Sequence, residues 1–153
     1  MDILNLGAGN KIIKGKGVVN HDRTAHRPEI DVAHDLNELP WPFEDNSFDQ
    51  IAALAVFEHL DHDLVSSLNE CWRILRPGGT VTVKLPYWNS DNSYRDPTHR
   101  WFFSLGAFDQ FDPDTERGRA YAFYTPFEWK IIKPARYNDA KTSIYCTLQV
   151  RKS

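Results

Sequence analysis

The chain has 153 residues, with 18 Lys and Arg against 21 Asp and Glu, 41% hydrophobic and 13% aromatic side chains. That size suits a single domain over residues 1–153, large enough to bury a core without disulfide or metal staples. The formal charge of -3 argues against a generic nucleic-acid binder. No apolar run approaches membrane-spanning length, and Met1 to Asn5 has no basic segment leading into an apolar one. A soluble cytoplasmic domain is therefore expected, with neither nucleic acid nor membrane as partner. Cys71 and Cys146 stand apart without a CxxC spacing, so no disulfide framework or zinc knuckle is expected.

The first predicted strand is Ile3 to Leu6, ending in Gly7-Ala8-Gly9. The second is Gly17 to Asn20, ending at His21-Asp22, and a short third, Ile30 to Ala33, ends at His34-Asp35. A fourth, Phe48 to Leu54, follows a Pro-bounded aromatic loop (Leu39 to Phe43) and an Asp45-Asn46 turn. From Asp61 to Leu75 the period changes: Leu64, Leu68, Cys71, Trp72 and Leu75 recur at helical steps, with Asp61 as the expected N-cap. Pro77-Gly78-Gly79 ends that segment, and Val81, Val83 and Leu85 alternate with Thr82 and Lys84 in a fifth strand. Residues 86–103 read as a long polar and aromatic loop, with a short helix near Leu105 to Phe111. Phe127 to Ile131 and Ile144 to Val150 both alternate, which predicts an antiparallel pair.

Strands alternating with helical segments give an α/β sheet, mostly parallel with an antiparallel edge. Ligands of such sheets collect at the carboxyl ends of the strands. Gly7-Ala8-Gly9, Asp22, Asp35 and Glu58-His59 all fall just after strand ends, hence on one rim.

Glycines after a first strand let a ligand approach the backbone. A carboxylate ending the second strand can accept both hydroxyls of a ribose, and a polar group after the third can reach an adenine amino group. The set describes a site for an adenosine-containing cofactor. A dinucleotide requires G-x-G-x-x-G opening a helix that holds the pyrophosphate. Here Asn10-Lys11-Ile12 follows, and the Gly-rich segment to Gly17 is too short for a full helix. S-adenosylmethionine has no pyrophosphate and tolerates that loss.

Leu4-Asn5-Leu6-Gly7-Ala8-Gly9-Asn10, Val19-Asn20-His21-Asp22, Asp35-Leu36, Leu39-Pro40, Asp45 to Asp49, Val56 to Leu60 and Arg73 to Gly79 together resemble the class I S-adenosylmethionine-dependent methyltransferases, closest to the "methyltransferase type 11" group. The resemblance implies a Rossmann-like methyltransferase sheet of strand order 3-2-1-4-5-7-6 with the last strand antiparallel. It implies S-adenosylmethionine as cofactor, with Gly7, Ala8 and Gly9 at methionine and ribose, Asp22 on the ribose hydroxyls and Arg23 beside it. Asp35 and Leu36 would flank the adenine, and Leu54 and Ala55 would meet the methionine end. Asn5 stands where the family has an acidic residue, and Lys11 where it has a glycine.

The resemblance also places the acceptor pocket in the loop from Pro86 through Asp96-Pro97-Thr98-His99-Arg100. His99 is the expected catalytic residue, as base or acceptor-positioning group, with Tyr87 and Arg100 as neighbours. The implied reaction is methyl transfer to a small-molecule acceptor. The alternatives are a protein that binds the cofactor without catalysis and an NAD-binding oxidoreductase. No Asn/Asp-Pro-Pro-Tyr motif is present, which disfavours DNA methylation. The histidines at 21, 26, 34, 59, 62 and 99 show no ligand-type spacing, so no metal site is expected.

Parallel crossovers normally take about a dozen residues and bring a helix with them. Between the first three strands the chain has room for loops only, so helices on one face should be largely missing. The alternation of the later strands agrees, since a sheet buried on both faces would carry continuous apolar runs. The uncovered face is expected to be wet or to serve in a homo-oligomer.

Overall fold

A computed structural model describes residues 1–153. Its seven strands are β1 (Ile3–Leu6), β2 (Val18–Asp22), β3 (Val32–Ala33), β4 (Phe48–Leu54), β5 (Leu75–Pro86), β6 (Trp129–Tyr137) and β7 (Ser143–Val150). They form one sheet in the order β3-β2-β1-β4-β5-β7-β6. β7 runs antiparallel to both β5 and β6, and the other pairs are parallel. The expected strand order and antiparallel edge are both present.

Register separates the faces. Leu4, Ile51, Val81, Leu148 and Ile131 lie side by side across five strands. The first four are 2% exposed or less and form the centre of the core. The next row, Asn5, Ala52, Thr82, Thr147 and Lys133, points to the other side of the pleat. Gln50, Thr80 and Gln149 continue this polar face. No helix crossover from β1 to β3 exists to cover it, because residues 7–17 and 23–31 carry no helix. The molecule is a two-layer sandwich.

The covered face is closed by α1 (Leu64–Ile74), whose Leu68, Cys71 and Ile74 are fully buried, and by the helical turn Leu105–Phe111 with Phe108 and Phe111. The N-cap of α1 is Asp63, whose carboxylate accepts from the Ser66 N–H, and not Asp61. Asp61 instead pairs with Arg100 at 2.9 Å. Arg73 fastens the aromatic loop to α1: it donates to the Phe43 and Trp41 carbonyls, to Asp45 and to both oxygens of Glu70. The segment expected as loop contains a short helix, α2 (Asp91–Tyr94), and α3 (Glu116–Ala120) follows later. β5 starts at Leu75 and runs through Pro77-Gly78-Gly79, pairing with β4 across a register shift. No helix is long and apolar enough to cross a membrane.

The short β1–β2 connection hangs on two buried asparagines. Asn5 Nδ2 donates to the Lys11 carbonyl and to Asn20 Oδ1. Asn20 Oδ1 accepts from the Ile13 N–H while its Nδ2 donates to the Ile13 carbonyl. Backbone groups that a helix would have paired internally are thus satisfied by side-chain amides. A carboxylate at position 5 has no N–H to donate, which explains the asparagine there.

Candidate active site

The rim at the carboxyl ends of β1, β2, β3 and β4 encloses a cleft of about 270 Å³ that includes Gly7, Gly9, Asp22, Arg23, Asp35, Leu36 and Ala55. Gly7 has φ +59°, and a Cβ there would stand 2.6 Å from Val56 Cγ2, so only glycine leaves the floor open. Asp22 accepts from the Gly9 N–H at 2.8 Å and from the Arg23 N–H at 2.7 Å. Each carboxylate oxygen keeps acceptor capacity for one more donor, as two ribose hydroxyls require. Arg23 reaches across to Asp35 at 3.3 Å. The segment after Gly9 is not a helix, so no helix N-terminus is available for a pyrophosphate.

Seven of the predicted cofactor residues therefore converge. Asn5, Ala8 and Leu54 do not line the cleft: Asn5 holds the β1–β2 loop, Ala8 is buried, and Leu54 pairs with Lys84 on the polar side of the sheet. Ala55 adopts φ +61°, unusual for a residue with a Cβ, and turns the chain out of β4 into the cleft wall.

His21 belongs to the site although its sequence position gave no reason to separate it from the other histidines. It is 1% exposed; its Nε2 donates to the His34 carbonyl at 2.9 Å, and its Nδ1 accepts from the Gly7 N–H at 3.2 Å. Burial holds its pKa below the ordinary 6.5, against smaller opposing effects of the His34 carbonyl and Asp22. In the unfolded chain the ring titrates normally, so its contribution is fully present above pH 6.5 and is lost as the pH falls toward the lower folded value. Stability should drop by up to about 1.4 kcal/mol per pH unit in that window. Urea denaturation between pH 8 and pH 5 measures the slope. His21→Gln should flatten it relative to wild type, and equal slopes would refute the assignment.

A second cavity, about 490 Å³, adjoins the first and shares Ala55 and His59 with it. Its other residues include Glu58, Lys84, Arg95, Asp96 and His99. The loops after β4 and β5 are zipped together there. The Arg100 N–H donates to the Glu58 carbonyl at 2.7 Å, Trp101 Nε1 to the Leu60 carbonyl at 2.8 Å, and His59 Nδ1 lies 2.8 Å from Thr98 Oγ1. Glu58 is 1% exposed, and burial pushes its pKa up to about 7. Burial, followed by the neighbouring His99, lowers that of His59.

His99 faces this cavity as expected, but with Glu58 and His59 beside it. Tyr87 packs on Tyr137 instead, with ring centroids 4.7 Å apart, and Arg100 turns outward to Asp61. The sequence places Glu58-His59 on the rim, to bind acceptor or cofactor or else to cap the helix; the α1 cap is Asp63, and one signal marks Glu58 as buried. A carboxylate inside Val56-Phe57-Glu58-His59-Leu60 sits among apolar neighbours that must be buried.

An open, mostly parallel sheet with a glycine floor and a carboxylate at its carboxyl rim is the arrangement in which α/β domains place a nucleotide-type ligand. Residues 16–83 match the family model described as "Methyltransferase domain". A probable S-adenosylmethionine-dependent methyltransferase of Mycolicibacterium smegmatis is 42% identical over 72 residues, 46% of this chain and 26% of that protein. The chain thus aligns with about a quarter of the length of this curated relative. A SAM-dependent methyltransferase from Archaeoglobus fulgidus superposes with TM-score 0.62 at 15% identity, covering 97% of this chain and 85% of that one. The 4+2 cyclase SpnF superposes equally well, TM-score 0.62 at 12% identity, covering 97% and 73%. These distant structures establish the fold, which is shared by more than one chemistry. Residues 16–83 are thus similar to the methyltransferase domain family, and the whole chain shares the fold of solved S-adenosylmethionine-dependent methyltransferases.

Proposed function

We propose that the protein transfers a methyl group from S-adenosylmethionine to a small-molecule acceptor held in the second cavity. The observation that carries this reading is the common wall of the two cavities, formed by Ala55 and His59. Bound S-adenosylmethionine supplies a methyl group on a positively charged sulfur, open to in-line displacement by an acceptor lone pair. Gly7 and Gly9 admit it against the backbone, Asp22 with Arg23 takes the ribose, Asp35 and Leu36 take the adenine, and Ala55 takes the methionine end. Asn5 holds the β1–β2 loop beside this surface, and Ala8 and Leu54 adjoin its lining residues in the chain. The chain's main task on the acceptor side is alignment. His99 presents its Nε2 to the acceptor, to position it and to receive a proton where the acceptor must lose one. Lys84 and Arg95 favour an acceptor carrying an anionic group. Pairing on the polar sheet face remains the expected mode of any self-association.

A screen of small-molecule acceptors, scored by S-adenosylhomocysteine release, tests the proposal. At least one acceptor should give turnover that His99→Asn reduces by about 100-fold or more, the usual contribution of acid–base catalysis. Cofactor binding without release above background across the screen would contradict transfer.

A further inference from the structure

Glu58, His59 and His99 turn electron-pair donor atoms toward one another. Glu58 is 1% exposed, yet its Oε2 has no hydrogen-bond partner. Its Oε1 lies 3.6 Å from His59 Nε2. The His59 and His99 rings meet edge to face, centroids 4.7 Å apart. One ligand-type atom from each of the three residues lies within 4.8 Å of the others.

The hydrogen bonds behind the rings decide which nitrogens are free. His99 Nδ1 is 3.0 Å from the Ser93 carbonyl, which can only accept, so Nδ1 carries the proton and Nε2 is a bare lone pair. The Thr98 hydroxyl donates to Asp96 Oδ1 at 2.7 Å and therefore accepts from His59 Nδ1 at 2.8 Å. His59 Nε2 is then bare as well. Two imidazole lone pairs and the buried Glu58 carboxylate, through Oε1, converge, each imidazole oriented from behind by a carbonyl or by a Thr–Asp relay. This is how proteins fix histidine ligands.

We propose that Glu58, His59 and His99 bind one divalent first-row transition-metal ion. Ligands about 2.1 Å from a zinc ion and at a tetrahedral angle stand about 3.4 Å apart, close to the 3.6 Å between Glu58 and His59. Imidazole selects zinc, iron, nickel or copper over magnesium, which takes oxygen ligands. Lys84 and Arg95 line the same cavity and oppose a second ion, while Asp96, with Oδ2 3.8 Å from His99 Nε2, offsets the charge of the first. Three protein ligands leave coordination positions open toward the second cavity. On the methyl-transfer reading above, on which this last step rests, the acceptor is then a molecule that offers the metal an oxygen or nitrogen. With the ion bound, His99 Nε2 is committed to the metal and positions the acceptor through it, and it does not then receive the acceptor's proton.

Calorimetric titration of chelator-treated protein with Zn²⁺ and with Mg²⁺ tests the site. Zn²⁺ should bind one ion per chain, with little response to Mg²⁺. His99→Asn and Glu58→Gln should each weaken Zn²⁺ at least about 100-fold, and Thr98→Val, which frees the His59 tautomer, by about 10- to 100-fold. X-ray absorption of the zinc-loaded wild type should show two imidazoles at about 2.0–2.1 Å, and does not depend on any variant folding. Absence of a one-per-chain event, Zn²⁺ affinity unchanged in both ligand variants, or fewer than two imidazoles would overturn the proposal. Asp22→Ala should keep Zn²⁺ binding while losing S-adenosylmethionine, so that failure of the metal site and failure of the methyl-transfer reading give different results.

Discussion

Replacing Asp22 with alanine should abolish measurable S-adenosylmethionine binding while leaving the fold intact. The carboxylate ends β2 at the rim, where the Gly9 and Arg23 N–H groups fix its orientation at 2.8 and 2.7 Å. Two ribose hydroxyls donating to it make charge-assisted bonds of about 1.5–3 kcal/mol each. Losing both weakens affinity by about 100-fold or more. The two amides set free lie at the partly exposed rim, where water can replace the carboxylate, so stability should change little. Asp22→Asn should bind with intermediate affinity, because one acceptor oxygen survives. Calorimetry on both variants, beside urea denaturation, checks the prediction. Unaltered binding in Asp22→Ala would remove the ribose assignment.

The largest effect on stability is expected at Trp129, the first residue of β6. It is fully buried in the main core, while Ile132, Lys133, Pro134 and Arg136 further along this edge strand are exposed. Arg151 Nε also donates to its carbonyl, which ties the chain end to the same point. Trp129→Ala should cost about 3–5 kcal/mol, the range for deleting a buried aromatic. Trp129→Phe should cost clearly less. The indole N–H has no partner inside the protein, so removing it relieves a buried unsatisfied group while most of the packing is kept. Urea midpoints of the two variants would separate these expectations. Equal losses would mean that aromatic packing alone, which phenylalanine keeps, is not what anchors β6.

The fold was legible wherever a pattern is local. β1 and β4 have the predicted bounds, and the alternation of Val81, Val83 and Leu85 with Thr82 and Lys84 correctly announces a sheet covered on one side. The brevity of the β1–β2 and β2–β3 connections locates the missing helices. The helix cap was misplaced by two residues because Asp61 and Asp63 are chemically equivalent in sequence, and only the Ser66 N–H distinguishes them. The role of Asn5 was invisible because its partners, Lys11 and Asn20, are brought together by a loop without periodicity. The same holds for Glu58, His59 and His99. Their proximity follows from the adjacency of β4 and β5, whose following loops meet at one rim, and not from any spacing along the chain. The seven residues that line the first cleft were legible as one rim because each lies at, or within three residues after, a strand end.

Calorimetric titration of the wild-type protein with S-adenosylmethionine, set against the same titration with NAD, tests the central claim most directly. The structure predicts one S-adenosylmethionine site per chain and no heat from NAD, because the segment after Gly9 is a loop with no helix N-terminus to hold a pyrophosphate. No binding of S-adenosylmethionine, or tighter binding of NAD, would contradict it.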